Sequence, residues 1–286
     1  MGFFSKVVSL AVHNKAIYET VLKLFGKMEF KCDICLKVRG LKMYSNTPDR
    51  LLATLFWKTA ILESYETQLL QKLVNPGMRV ADIGANIGYH TLMLARLVGP
   101  TGEVIAFEPD ANNYRLLIKN ADRNHLASIT AVNNAVTDYN GRARLFINKG
   151  HRGDHRIYAG NETRLAVDVE ATTLDTYLAG RPIDVVKMDI QGAEMLALKG
   201  MAETIALNSR LIILAEFSPH HLIKCGTLPS AFLDALEAAG FYLRMIDESR
   251  HEIRAINKEA LLSRCSGSHY VNLLLSKRPK TVISGI

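Results

Sequence analysis

Val80-Ala81-Asp82-Ile83-Gly84-Ala85-Asn86-Ile87-Gly88-Tyr89-His90 is the stretch on which the reading of the chain turns. Val80 to Ile83 is a short apolar run bounded by a turn signal, which predicts a buried strand. Leu92, Leu94, Ala95 and Val98 then recur at helical spacing, so a helix follows the turn. Gly84 and Gly88 lack a Cβ, which lets the backbone turn sharply and brings a ligand close to the amides at the helix start. Glu108 stands 20 positions after Gly88, at the end of a second apolar run, Val104-Ile105-Ala106-Phe107. A carboxylate there is where a βαβ nucleotide site holds a ribose. The stretch reads as a nucleotide-cofactor turn.

Outward from it, the chain alternates strands and helices. Val104–Glu108, Ile129–Asn133, Asp184–Asp189, Leu211–Phe217, Tyr242–Ile246 and Tyr270–Leu275 read as further strands, and helices are expected from about Ile87, Ala111, Ala193, Pro229 and Lys258. Regular alternation implies a largely parallel sheet covered on both faces, and ligands bind such sheets at the carboxyl ends of the strands. Asp82, Glu108, Asn133, Asn134, Asp189 and Glu216 all fall at or just past such ends. Asn140-Gly141 is a hairpin signal between 135–137 and 143–147, with 165–170 expected to pair alongside. The polar loop 148–156 that follows the hairpin is too long and too charged for a mere connection.

Upstream, 49–73 carries a helical pattern that stops at Asn75-Pro76-Gly77 and places Glu66 to roof the cofactor turn. Residues 29–45 read as a small hairpin around Gly40, and 3–25 as an amphipathic helix. The net charge of +7 is concentrated in residues 1–58, which hold ten Lys and Arg against four acids. Such a segment can dock on an anionic membrane surface or an acidic partner, although a solvated helix face is the plainer reading; no nucleic acid is expected. With 286 residues and 48% hydrophobic content the chain can bury a full core. No apolar run approaches the ~20 residues of a membrane span and no clear signal peptide opens the sequence, so a cytoplasmic location is expected. Cys32 and Cys35 have CxxC spacing but no second ligand pair, and His151 with His155 lacks an acid cluster, so no metal is expected.

Asp82-x-Gly84-x-Asn86-x-Gly88 departs from the dinucleotide fingerprint GxGxxG, because its glycines are four apart and an acid leads the turn. An acid repels a pyrophosphate and attracts the ammonium and sulfonium of S-adenosylmethionine. Charge therefore prefers S-adenosyl-L-methionine over NAD as cofactor, with an NAD-dependent oxidoreductase left as the distant alternative.

Four segments, Asp82 to Thr91, Ile105-Ala106-Phe107-Glu108-Pro109-Asp110, Thr172-Thr173-Leu174-Asp175 and Val186 to Glu194, stand in an order and spacing that resemble the FkbM-type family of S-adenosylmethionine-dependent methyltransferases. The resemblance implies a class I, Rossmann-like α/β fold: a seven-stranded, mostly parallel sheet whose last strands form an antiparallel hairpin, with helices on both faces. It divides the chain into a basic extension over 1–58, a methyltransferase domain over 59–278 and a tail over 279–286. By position it implies that Asp82, Gly84, Ala85, Asn86 and Gly88 line the methionine end of the cofactor, with Glu66 above. Glu108 and Pro109 would hold the ribose, Asn134 and Ala135 would face the adenine, and Asp189 would sit under the methionine or beside the acceptor. Gln191 stands where many members have Glu. O-methylation of a small molecule, a sugar or a lipid-linked intermediate is the expected activity, with a catalytically inactive binding protein of the same fold as the alternative. Asp189 is the first candidate for general base, followed by His155 and His90.

Overall fold

A computed structural model describes residues 33–46, 65–149, 153–160, 163–265, 267 and 269–278. The expected helix over 3–25, the 49–64 part of the long helix, Cys32 and His151 lie outside them. β1 (Ile34–Val38) and β2 (Leu41–Ser45) form the hairpin expected around Gly40. After α1 (Tyr65–Leu73) come β3 (Arg79–Ile83), α2 (Tyr89–Val98), β4 (Glu103–Phe107), α3 (Ala111–Arg123) and β5 (Ile129–Val132). The short strands β6 (Ala135–Val136), β7 (Gly141–Ile147) and β8 (Leu165–Thr172) interrupt this alternation, and α4 (Leu174–Leu178) follows them. It then resumes with β9 (Val185–Met188), α5 (Glu194–Lys199), α6 (Ala202–Leu207), β10 (Ile212–Phe217), α7 (Pro219–Lys224) and α8 (Pro229–Ala238). The chain closes with β11 (Tyr242–Asp247), β12 (Glu252–Ala255), α9 (Lys258–Arg264) and β13 (Val271–Ser276).

The main sheet runs in the order β12-β11-β13-β10-β9-β3-β4-β5. Strands β5, β4, β3, β9 and β10 are parallel, and β13 lies antiparallel between β10 and β11. This is the class I arrangement that the resemblance implied, with β12 added at the edge. The addition has a local cause. The Asp247 carboxylate accepts from the amides of Ser249 and Arg250 and from the Ser249 hydroxyl, while His251 takes a left-handed φ of 52°, so the chain folds straight back along β11.

Side-chain alternation sorts the sheet into two cores. Ala81, Ile83, Ile105, Phe107, Val186, Met188, Ile213 and Ala215 pack on one face, together with Phe232, Leu233 and Leu236 of α8. Val80, Val104, Val185, Leu214 and Leu274 face the other way, against Leu69, Leu70 and Leu73 of α1 and Leu94, Ala95 and Val98 of α2. Both faces are buried, which is why these strands read as nearly continuous apolar runs.

The second sheet corrects one expectation. Its order is β6-β8-β7, so 135–137 and 143–147 do not pair across Asn140-Gly141; β8 inserts between them, parallel to β6 and antiparallel to β7. The Asn140 side chain explains the difference. Its carbonyl oxygen accepts from the Thr173 amide and the Thr172 hydroxyl and its amide donates to the Thr176 hydroxyl, so the turn residue is spent on binding the end of β8.

Candidate active site

β3 ends in a turn that only glycine can make. Gly84 has φ +87°, and a Cβ there would stand 2.1 Å from the carbonyl oxygen of Asp189, so the ends of β3 and β9 press directly together. The amides of Gly84 and Ala85 both donate to the Phe107 carbonyl, fixing the turn to the end of β4. Asn86 takes a left-handed φ of 51°, which turns its amide onto the carboxylate of Glu108 at 2.8 Å. Gly88, at φ 96°, caps α2 and leaves no room for a Cβ, which would meet Leu117 at 2.6 Å.

Glu108 is held from three sides. Its second oxygen accepts from the Asp110 amide at 3.0 Å and from the Asn113 side chain at 3.2 Å. The residue is 5% exposed, and burial pushes its carboxyl up to about 7 against the pull of these hydrogen bonds. A carboxylate has about four acceptor positions, so one remains for a ligand hydroxyl. Asn133, at the end of β5, turns away: its side chain donates to the carbonyls of Glu108 and Pro109 and braces the loop.

These groups surround a cleft across the carboxyl ends of β3, β4 and β9. Of the expected residues, Gly84, Asn86, Glu108, Pro109, Asn134, Ala135, His155 and Asp189 line it. Ala85, Gly88, Asp82 and Glu66 do not. Ala85 and Gly88 shape the turn from behind, and Asp82 and Glu66 belong to a buried charge array on the α1 side. Asp82 is 1% exposed, accepts from the Thr91 hydroxyl at 2.6 Å through one oxygen, and has no hydrogen-bond partner on the other. Glu66 accepts from Asn272 at 2.9 Å, and burial pushes its carboxyl up to about 7. Its place is fixed because the amides of Tyr65 and Glu66 both donate to the Glu248 carboxylate at the start of α1.

At the end of β9 Asp189 is exposed and receives a 2.9 Å hydrogen bond from the Gln191 side chain. Glu194, 1% exposed, accepts from the amides of Ile190 and Gly192 and so staples the turn after β9. Gly192, at φ +106°, lies so close to α7 that a Cβ would meet the His221 carbonyl oxygen at 2.5 Å. His221 Nδ1 stands 3.7 Å from Glu216 Oε1, and its Nε2 stands 3.5 Å from the guanidinium of Arg156. Arg156 itself is clamped by Asp154, which also receives Arg164, and its backbone pairs with Phe146 of β7. Arg156 Nη1, Tyr158 Oη, Glu194 Oε2, Glu216 Oε1 and His221 Nδ1 are all buried without a hydrogen-bond partner. So many bare polar atoms in one region mark a place that water or a ligand must complete.

His155 sits at the other end. Its Nδ1 accepts from the Asn148 amide at 3.1 Å, which puts the proton of a neutral ring on Nε2, and that nitrogen is 3.9 Å from Asp110 beside Glu108. This suits holding a cofactor better than removing an acceptor proton. His90, on α2, is kept well below the ordinary histidine range by burial and by Lys187. Lys187 is the residue that sequence reasoning missed. Its signal was a lone lysine within Asp184-Val185-Val186-Lys187-Met188-Asp189, a run otherwise suited to a buried strand. Among the described residues, no group of three or more His, Cys, Asp or Glu could hold a metal ion, and Cys35, Cys225 and Cys265 are free thiols.

Comparison with solved structures finds distant likenesses. TYW2 from M. jannaschii, solved in complex with AdoMet, is 15% identical, covers 85% of this chain and 84% of its own, and superposes with a TM-score of 0.43. A TehB-like SAM-dependent methyltransferase from Corynebacterium glutamicum is 12% identical over 80% of this chain and 98% of its own, with a TM-score of 0.43. An rRNA methylase from Streptococcus thermophilus is 12% identical over 74% of this chain and 93% of its own, again with a TM-score of 0.43. No curated protein matches the sequence. The model of the methyltransferase FkbM domain matches residues 82–243. That span is more than half of the chain and holds the glycine turn, Glu108, β9 and the His221 region, and the chain belongs to the FkbM family of methyltransferases.

Proposed function

We propose that this protein transfers the methyl group of S-adenosyl-L-methionine to a hydroxyl oxygen of a small molecule, a sugar or a lipid-linked intermediate. The observation that carries the reading is the convergence of Gly84, Asn86, Glu108 and Asp189 on one cleft at the carboxyl ends of β3, β4 and β9. The residues fit the cofactor. Glu108 has an acceptor position left for a ribose hydroxyl, Asn134 and Ala135 offer an adenine-sized edge, and the acids Asp82 and Glu66 behind the turn suit a cation and not a pyrophosphate. When bound, the cofactor supplies an electrophilic methyl on a good sulfur leaving group.

The protein's part is alignment and proton removal. Aligning a hydroxyl with the methyl at ~3 to 3.5 Å supplies much of the acceleration. Asp189 is exposed at the cleft wall and is the nearest carboxylate to take the hydroxyl proton. A second candidate base is His221, because the Glu216 carboxylate 3.7 Å from Nδ1 gives the ring a charge partner. The basic N-terminal segment would bring the enzyme to a membrane or an acidic partner that presents the acceptor. Among the described residues no helix is long and apolar enough to cross a membrane.

Calorimetry with S-adenosylmethionine and with NAD tests the cofactor, and the expected result is binding of the first alone. Transfer of tritium from methyl-labelled cofactor to any fraction of a cell extract tests catalysis; tight binding without transfer would favour the inactive alternative. Asp189→Asn is expected to keep cofactor affinity within about twofold and to lose at least ~100-fold in turnover if Asp189 is the base. A loss confined to His221→Ala would move that role to the Glu216 and His221 pair.

A further inference from the structure

Strand register gathers an unusual set of charges on the α1 and α2 face of the sheet. Asp82 of β3 and Lys187 of β9 are direct neighbours across the parallel ladder, and Leu214 of β10 is the partner of Lys187 on its other side. Asp189 and Glu216 lie two residues beyond Lys187 and Leu214, so both project from this same face. Glu216 is in turn the partner of Asn272 in β13, whose side chain donates to Glu66 of α1. Val80, Val185 and Ile212 make an apolar row below, and Asp82 and Lys187 share their own row with Leu214 and Leu274. The top row of this face is charged.

Lys187 is 3% exposed and Asp82 1%, with one oxygen of Asp82 bare of any hydrogen bond. Burial alone would push the Lys187 ammonium down, yet Asp189, Glu66, Asp82 and Glu216 together push it up. Every element packed against Lys187 contributes a group: Asp82 from β3, Asp189 from the end of β9, Glu216 from β10, Glu66 from α1 and the neutral His90 from α2. Glu248 adds a further negative charge beside Glu66. One ammonium therefore lies among four acids at the sheet end that carries the Gly84 turn, and burial pushes Glu66, Asp82 and Glu216 up. A strand this deep holds a lysine only if the charge is compensated.

We propose that Lys187 is a positioning residue that holds Glu66, Asp82 and Glu216 together as one anionic socket, through which the site tells the cationic methyl donor from its neutral thioether product. The inference rests on the methyl-donor reading above and adds to it a means of exchanging product for fresh cofactor. Both ligands share the adenosine and amino-acid ends, so only the charge on sulfur separates them. A negative socket favours the sulfonium, and Lys187 draws Glu66, Asp82 and Glu216 toward the ionised form against the effect of burial.

Calorimetric titration of the full chain with S-adenosylmethionine and, separately, S-adenosylhomocysteine from about pH 6 to about pH 8.5 tests this. The titration of the ligands' own amino groups is common to all variants and cancels between them. In the unaltered protein the ratio of the two affinities is expected to rise with pH around the value of about 7 to which Glu66 is pushed. Lys187→Met should move that rise upward by about one pH unit or more, and Lys187→Arg should return it. A folded Lys187→Met protein with an unmoved profile, or an unaltered protein whose ratio is flat with pH, overturns the proposal. If Lys187→Met does not fold, Glu66→Gln decides. It should lower the ratio at about pH 8 by about 5- to 30-fold, as expected for one charge several ångströms away in a partly buried site, and an unchanged ratio overturns the proposal. If the unaltered protein binds neither ligand, the methyl-donor reading falls and this inference with it.

Discussion

Burial of the Glu108 carboxyl works against the fold. The carboxyl is pushed up to about 7 from an ordinary value of 4.5, chiefly by burial. Below 4.5 folded and unfolded chains both hold the proton, and above about 7 neither does; between the two only the folded state holds it, so stability falls as pH rises through that window. Glu108→Gln removes the penalty but cannot accept from Asn86 and Asp110 together as the carboxylate does. The expected result is a ligand-free protein that is more stable at about pH 8 by about 1 to 2 kcal/mol in urea melts, with cofactor affinity lowered by about 1 to 3 kcal/mol. A variant that still binds the cofactor normally would remove Glu108 from the site. The sequence showed Glu108 by its spacing from Gly88. It did not show Asp82 as buried charge in place of cleft lining, because face and depth depend on which strand lies alongside, and that strand is distant in sequence.

At the scale of elements, the β1 and β2 hairpin is held to α3 by side chains more than by a shared sheet. Asn120 and Asn124 receive the amides of Tyr44 and Lys42, and Asp33 takes a fork from Arg115 at 2.9 and 3.0 Å together with a 2.6 Å contact from Lys119. The Arg115 hydrogen bonds, foremost, draw the Asp33 carboxyl down to about 2. Its stabilising effect is full above the ordinary value of 3.8 and is lost as pH falls toward about 2. Arg115 is half exposed, so water screens the pair, and Asp33→Asn is expected to cost only about 1 kcal/mol. Hydrogen exchange in β1 and β2 should speed up while the main sheet is unaffected; equal exchange everywhere would mean that the asparagine contacts suffice. The β8 insertion belongs to this scale too. Asn140-Gly141 offered a hairpin, but a local turn preference is worth little beside the many ladder hydrogen bonds that β8 makes with β7, and no local pattern reports an inserted third strand.

For the whole molecule, the alternation of strands and helices was legible because each strand is apolar on both faces and each turn is marked by glycine, proline or asparagine. The carboxyl-end rule then pointed to the strand ends where the cleft lies. Lys187 was not legible as part of it, since a single lysine in an apolar run looks like an edge position until its four carboxylate neighbours are assembled from β3, β10 and α1. Glu194, pushed up to about 8 by burial foremost, joins Glu108 in favouring the protonated folded state. The ligand-free protein should therefore melt lower at about pH 8.5 than at about pH 5.5, by about 5 to 10 °C, and saturating S-adenosylmethionine should recover much of the difference at the higher pH. A melting temperature that rises over the same interval would mean that these carboxylates ionise freely in the folded chain.

The contact between Gly84 and the Asp189 carbonyl has a mechanical consequence. The Gly84 turn and the Asp189 strand end form one piece of the cleft wall, with no cushion of side chain between them. Any side chain at position 84, even the methyl of Gly84→Ala, wedges the ends of β3 and β9 apart and displaces the Asp189 carboxylate as it distorts the turn. Damage to donor binding and damage to methyl transfer should thus arrive together at this position. A change in the shape of the 153–158 loop or of the segment around His221 leaves that shared wall standing.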